Sequence, residues 1–302
     1  MLEQFTSIFS GFDAALLDVL WTAVLLGIVF TLLSALFTPC NPGVSWWRKP
    51  DLVTDLLYFF IIPLFGRFAI IFFALVAMGL LSGLGVAKPE DIIGVNRGPL
   101  SALPFWQQIV LYLILSDLMM YWSHRAFHTA RLWRYHAVHH SPEHLDWLSG
   151  RRFHPIDFAL HAAFPDFVLL MLGVSPEVLL LLAPFTVWHS ALVHANLNWT
   201  FGPLRYLIAS PVFHRWHHTG MQRGGMKNFT ATFPLIDLIF GTYYMPKGAL
   251  PDAYGIGEPE FPRSFGRQLL YPFVAPKVVA GVENDGGARM PEMPPVVGSG
   301  GR

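Results

Sequence analysis

Three short stretches of this 302-residue chain carry histidines at spacings that let imidazoles converge. His124 and His128 form an HxxxH pair, His136, His139 and His140 form HxxHH, and His214, His217 and His218 form HxxHH again. On an α-helix, residues four apart share a face and the i+3 residue lies beside them. Each motif is therefore expected to aim its imidazoles at one point. Neutral imidazole is the commonest protein metal ligand, and eight of them exceed the four that a tetrahedral zinc takes. Two metals, or one very nitrogen-rich centre, follow. A lone histidine at a membrane edge is ordinarily a hydrogen-bonded structural residue, but three matched helical motifs are not explained that way. All 13 histidines lie between His124 and His218, away from both termini, which argues against a metal-buffering tail.

The chemistry is also bounded by missing patterns. No Glu-x-x-His occurs, unlike the carboxylate-rich di-iron bundles. No HExxH occurs, so the zinc-peptidase arrangement of ligands and base is missing. The single cysteine, Cys40, excludes an internal disulfide and a multi-cysteine metal site. Neither a GxGxxG nucleotide fingerprint nor a cysteine-based iron–sulfur or haem motif is present.

The elements that must position these histidines belong to a membrane. Hydrophobic residues make up 53% of the chain and charged residues 13%, against about 25% charged in an ordinary soluble domain. Twenty basic and twenty acidic residues cancel, which argues against nucleic acid as a partner. A bilayer span needs about 20 apolar residues, and the run from Ala14 to Phe37 supplies one. The stretch Leu52–Leu81, interrupted by Pro63, Gly66 and Arg67, reads as an interfacial helix to Pro63 and then a span from Leu64 to about Leu84, with Arg67 snorkelling to the interface. Pro104–Trp122 is a third run leading into the first histidine pair, and Phe158–Leu192 reads as a helical hairpin split at Gly173–Glu177. The expected fold is an all-α integral membrane helical bundle of about four to five transmembrane helices with a cytoplasmic histidine-rich helical cap. Arg48 and Lys49, then Arg125, Arg131, Arg134, Arg151 and Arg152, then Arg205, Arg215, Arg223 and Lys227 place the histidine side in the cytoplasm and the N-terminus outside. Lys88 and Arg97 fall in the expected outer loop. The expected domains are 1–100 (membrane helices), 101–250 (catalytic) and 251–302 (extension), the last disordered from about 276 on composition.

The residues Ser116-Asp117, Tyr121 through Phe127-His128, Trp133 through His140-Ser141-Pro142-Glu143, His194-Ala195-Asn196, Ser210-Pro211 with His214 to His218, Asn228-Phe229, and Asp237 through Phe240-Gly241-Thr242-Tyr243 together resemble the fatty acid hydroxylase/sterol desaturase superfamily over about residues 108–245. The resemblance implies a membrane non-haem di-iron enzyme that uses O2 and electrons to hydroxylate or desaturate a lipid such as a fatty acyl chain or sterol. It implies as ligands of two Fe ions His124, His128, His136, His139, His140, His214, His217 and His218, with His194 at a further position. His189, five residues before His194, is a candidate tenth ligand, although five residues rotate about 500° and point the rings about 140° apart. His154, before a proline suited to a helix start, reads as structural or as a residue that holds a ligand in place, with a tenth-ligand role open to it as to His189, and His144 and His161 read as structural. A ligating imidazole needs its other N–H held; Asp117, two turns before His124, and Asn196 are candidates, with Glu143, Asn228 and Asp237 behind them.

Seven aromatic residues near the motifs, Trp106, Trp122, Phe127, Trp133, Trp147, Trp188 and Trp216, read as an interfacial belt or as the wall of a lipid pocket. Electrons are expected from a separate ferredoxin- or cytochrome-type donor at the arginine-rich cytoplasmic face. Two other classes are open to a histidine-rich membrane chain. A metal transporter or sensor would carry its ligands within several spans, whereas these cluster at span ends. A zinc hydrolase would have only Glu143 as a nearby base.

Overall fold

The computed structural model describes residues 2–85, 98–129, 131–258 and 260–274, and these are helical with no strands. Lys88, Arg97 and the tail from 276 lie outside the described residues, as does the side chain of Arg67. Helix α1 (Leu2–Leu36) and α2 (Leu52–Gly83) pack together, followed by α3 (Phe105–Phe127) and the short α4 (Trp133–His140). A helical limb then runs through α5 (Pro155–Phe158), a π-turn (Ala159–Ala163) and α6 (Phe164–Met171). It returns as α7 (Pro176–His194); α8 (Pro211–His217), α9 (Pro234–Ile239) and α10 (Phe265–Val274) complete the chain.

The apolar side chains face the wrong way for water. Leu17, Trp21, Leu25, Ile28, Leu32 and Leu36 are exposed along α1, as are Phe68, Ile71, Phe72 and Leu75 along α2. Apolar surface on this scale belongs in lipid, where a helix satisfies its own backbone polar groups. Three helical stretches among the described residues are long and apolar enough to cross a bilayer: Leu16–Leu36, Leu52–Gly83 and Pro176–His194. The third run is one helix of 23 residues, but Gln107, Gln108 and Asp117 leave it less apolar than those three. The stretch divided at Pro63 in the sequence reading is a single helix of 32 residues. Pro63 forfeits only one i→i−4 hydrogen bond, and packed neighbours can restrain a proline inside an apolar helix. The hairpin at Gly173–Glu177 forms as expected: Gly173 takes φ +95°, and Ser175 Oγ caps α7 by accepting from the Glu177 N–H.

A buried charge network ties α2 to the histidine-bearing half. Lys49 Nζ pairs with Asp55 at 2.5 Å and Asp146 at 2.6 Å, while Arg152 reaches Asp55 and Asp51. Removing one partner would leave an uncompensated buried charge, which costs about 3–5 kcal/mol. Leu26, Phe30 and Phe59 pack there against Trp147, Leu148 and Ala191. The C-terminal segment also folds back: the Leu269 carbonyl accepts from His154 Nε2, and the Pro272 carbonyl from Arg134.

Candidate metal centre

The helix ends bring nine imidazoles together in two groups. His124, His128, His136, His140 and His217 form one, and His139, His194, His214 and His218 the other; within each, candidate ligand atoms lie within 4.8 Å of one another. All nine are buried.

The expectation that each motif aims at one point holds for the i,i+4 pairs and fails for the i+3 residue. His136 and His140 join the first group while His139 joins the second; His214 and His218 join the second while His217 joins the first. At about 100° per residue, the i+4 ring lies about 40° to one side of the first and the i+3 ring about 60° to the other. Each HxxHH therefore straddles both groups. The groups abut, with His140 stacked on His218 at 4.5 Å between ring centroids and 4.7 Å from His217.

The hydrogen bonds fix which nitrogen faces inward. A carbonyl only accepts, so a ring nitrogen bonded to one carries the proton and leaves the other nitrogen's lone pair free. His124 Nδ1 donates to the Phe229 carbonyl at 2.7 Å, His217 Nδ1 to Lys227 at 2.6 Å, His139 Nδ1 to Arg152 at 3.0 Å and His194 Nδ1 to Ser190 at 2.6 Å. His136 Nδ1 meets Asp157 Oδ2 at 2.8 Å. The inward atoms crowd: Nε2 of His214 lies 3.0 Å from that of His194 and 3.1 Å from that of His218, and Nε2 of His136 lies 3.2 Å from that of His140. Neighbouring ligands about an ion bonded at about 2.1 Å would sit about 3 Å apart. Nε2 of His124 and His217 and both ring nitrogens of His128 are buried without a hydrogen-bond partner. Burial pushes His136, His139, His140, His214, His217 and His218 well below the ordinary histidine value, so they are neutral at pH 7. Neutral, desolvated, convergent imidazoles fit a pair of transition-metal ions.

The local sequence explains the aim. Ser210 Oγ caps α8 by accepting from the Phe213 N–H, with Pro211 at the first helical position. Asn228, at φ +58°, clamps the strap after α8 by donating to the Phe213 and Tyr244 carbonyls. Asp237 accepts from the Phe229 and Thr230 N–H groups, which sets the Phe229 carbonyl against His124. Gly150 touches His194 so closely that a Cβ would come within 2.6 Å of its Nδ1.

Several expectations are corrected. His189 joins neither group: its Nε2 donates to the Ala209 carbonyl and its ring stacks on Phe185, as the wide angular offset from His194 requires. Asp117 touches no imidazole; it accepts from the N–H groups of Ala231, Thr232 and Phe233 and acts on His124 only through that strap. Asn196 likewise hydrogen-bonds no imidazole, exchanging hydrogen bonds with the Asn41 backbone. Glu143 is exposed and pairs with Arg263. The carboxylate that does bond one of the clustered imidazoles is Asp157, against His136; it follows His154-Pro155 by two residues, where the start of α5 turns it inward. His154 is structural, its Nδ1 capping α5.

A cavity of about 360 Å³ borders the imidazoles, lined by His124, His139, His194 and His214 and by apolar groups including Phe153 and Phe158. None of the tryptophans lines it; Trp106 and Trp122 are exposed, as a belt requires, while Trp147 and Trp216 are buried in packing. His161 also faces the cavity, its Nδ1 3.0 Å from Ser123 Oγ.

Residues 109–242 match the fatty acid hydroxylase family model. The chain is 29% identical over 248 residues to an ornithine lipid hydroxylase of Rhizobium tropici, covering 79% of this chain and 72% of that one. It is 28% identical over 227 residues to an alkylglycerol monooxygenase of Caenorhabditis elegans, covering 72% of this chain and 44% of the relative. It is 30% identical over 149 residues to a very-long-chain aldehyde decarbonylase of Oryza sativa subsp. indica, covering 46% and 55%. The chain thus spans about half the length of the last two relatives. No solved structure matches.

Proposed function

We propose that this chain, which belongs to the fatty acid hydroxylase superfamily, is a multi-pass membrane oxygenase that inserts oxygen from O2 into a C–H bond of a lipid at a di-iron centre. The observation that carries this reading is the pair of abutting, neutral imidazole groups beside a largely apolar cavity. His124, His128, His136, His140 and His217 would hold one iron and His139, His194, His214 and His218 the other. When bound, the irons would supply the activation of O2 that no side chain provides.

The chain's own residues hold and exclude. Asp157 and the carbonyls of Phe229, Lys227, Arg152 and Ser190 keep the Nδ1 proton on five ligands and the Nε2 lone pairs inward. Phe153, Phe158 and Pro63 give the cavity an apolar wall that seats hydrocarbon and keeps water from the reacting carbon. Electrons would come from a ferredoxin- or cytochrome-type donor at the cytoplasmic face, where the arginines of the histidine-bearing half support docking of an acidic partner. Residues 101–250 would be the catalytic domain, with its centre on the cytoplasmic side of the spans at 1–100. The hydroxylase and monooxygenase names of two relatives favour oxygen insertion over desaturation.

Lipid extracts from cells with and without the gene, compared by mass spectrometry, test the reading. A lipid heavier by one oxygen only when the gene is present supports it. A lipid lighter by two hydrogens would make the chain a desaturase, and an unchanged lipidome would overturn the assignment.

A further inference from the structure

The cavity beside the imidazoles contains a positive charge that the reaction has not used. Arg151 closes the 3-10 turn Ser149–Arg151 and lines the cavity together with His139, His194 and His214. The preceding Gly150 presses the turn against His194, which sets Arg151 beside the four-imidazole group. Its guanidinium lies 5.9 Å from the Phe59 ring centroid and forms no ion pair among the described residues. The nearby carboxylates are engaged elsewhere. Asp51 and Asp55 take Arg152, Asp146 takes Lys49, and Asp157 faces His136. The two that line the cavity are held as well, Asp117 by three backbone N–H groups and Asp166 by the Tyr112 hydroxyl at 2.7 Å. Burial draws Arg151 down only to about 10, so it stays protonated. An uncompensated guanidinium in a mostly apolar chamber is costly, and its planar fork matches carboxylate and phosphate oxygens two at a time.

We propose that Arg151 binds an oxyanion of the substrate, the carboxylate or phosphate group of an acidic lipid, at the end of the cavity beside the four-imidazole group. Held there, the lipid would present the carbons next to its acid group to the imidazoles, and the far end of its chain would lie away from them. The inference rests on the lipid-oxygenase reading and narrows its substrate class.

Iron-loaded protein in detergent, titrated with hexadecanoate, hexadecyl phosphate and the uncharged hexadecanol, tests it by calorimetry. At least one acid should bind about tenfold to a hundredfold more tightly than the alcohol, the range expected for hydrogen bonds to a charged group. The stronger of the two identifies the group recognised. Arg151→Gln should erase the preference with iron content and melting midpoint unchanged, and Arg151→Lys should keep part of it. Equal binding of acid and alcohol by the unsubstituted protein, or a preference that survives in Arg151→Gln, would overturn the inference. Because binding needs no turnover, an intact acid preference in a protein that makes no oxygenated lipid would defeat the oxygenase reading alone. Wild-type KM for an acidic lipid in Arg151→Gln would defeat this inference alone.

Discussion

The two imidazole groups share α4 and α8, draw separately on α3 and α7, and are supported differently. The five-imidazole group lies deeper: of its members only His124 lines the cavity, and it alone has a carboxylate, Asp157, against a ligand. The four-imidazole group presents His139, His194 and His214 to the cavity and is steadied by main-chain carbonyls and by the contact with Gly150. Under the di-iron reading proposed above, the first group would serve retention of its ion and the second access of substrate. A protein carboxylate beside a ligating histidine makes that ligand more basic, and it stands where no substrate needs to enter.

The most damaging test asks whether the groups work as a unit. His217→Ala removes a ligand from the first and His139→Ala from the second; each should abolish turnover and lower iron content while the protein still inserts into membranes. Turnover retained in either variant would remove that residue from the centre. Asp157→Asn should reduce metal affinity or rate by about 10- to 100-fold; an effect no larger than that of a surface substitution would erase the asymmetry between the groups. Gly150→Ala should act on the other side, displacing His194 at a cost of about 1–3 kcal/mol, seen as a lower melting midpoint together with weakened metal retention. Asp117→Asn should be mildest for the metal, loosening the strap at 231–233 by about 1–3 kcal/mol with iron content retained.

Acid provides a further test with a definite sign. Burial lowers the folded-state values of His136, His139, His140, His214, His217 and His218 below the ordinary 6.5. The unfolded chain then binds more protons, so their contribution to stability is complete above about pH 6.5 and is lost as pH falls below it. The metal-free protein should melt at progressively lower temperature between pH 7 and 5, and a flat midpoint would mean that the rings are not buried as described.

Much of the site was legible because helix periodicity converts sequence spacing into direction. HxxxH and HxxHH named eight of the nine ring positions, and His194 came only from the family pattern. The partition into two groups was not legible, since it depends on how α4 and α8 face each other. Main-chain carbonyls leave no residue signature, so the sequence does not mark those of Phe229, Lys227, Arg152 and Ser190 that accept from the clustered imidazoles. Asp117 misled because a helical register of seven places a side chain on the right face without stating its partner. The membrane helices showed through composition, whereas the continuity of α2 past Pro63 did not, because restraint by neighbouring helices outweighs one missing N–H.

The straddling of each HxxHH across both groups has a consequence for assembly. Loading an ion into either group pins the rotation of α4 and α8 about their own axes, and that same rotation orients the rings awaiting the other ion. The orientational entropy is lost once and serves both events, so uptake should be cooperative, with singly loaded protein scarce during titration with iron.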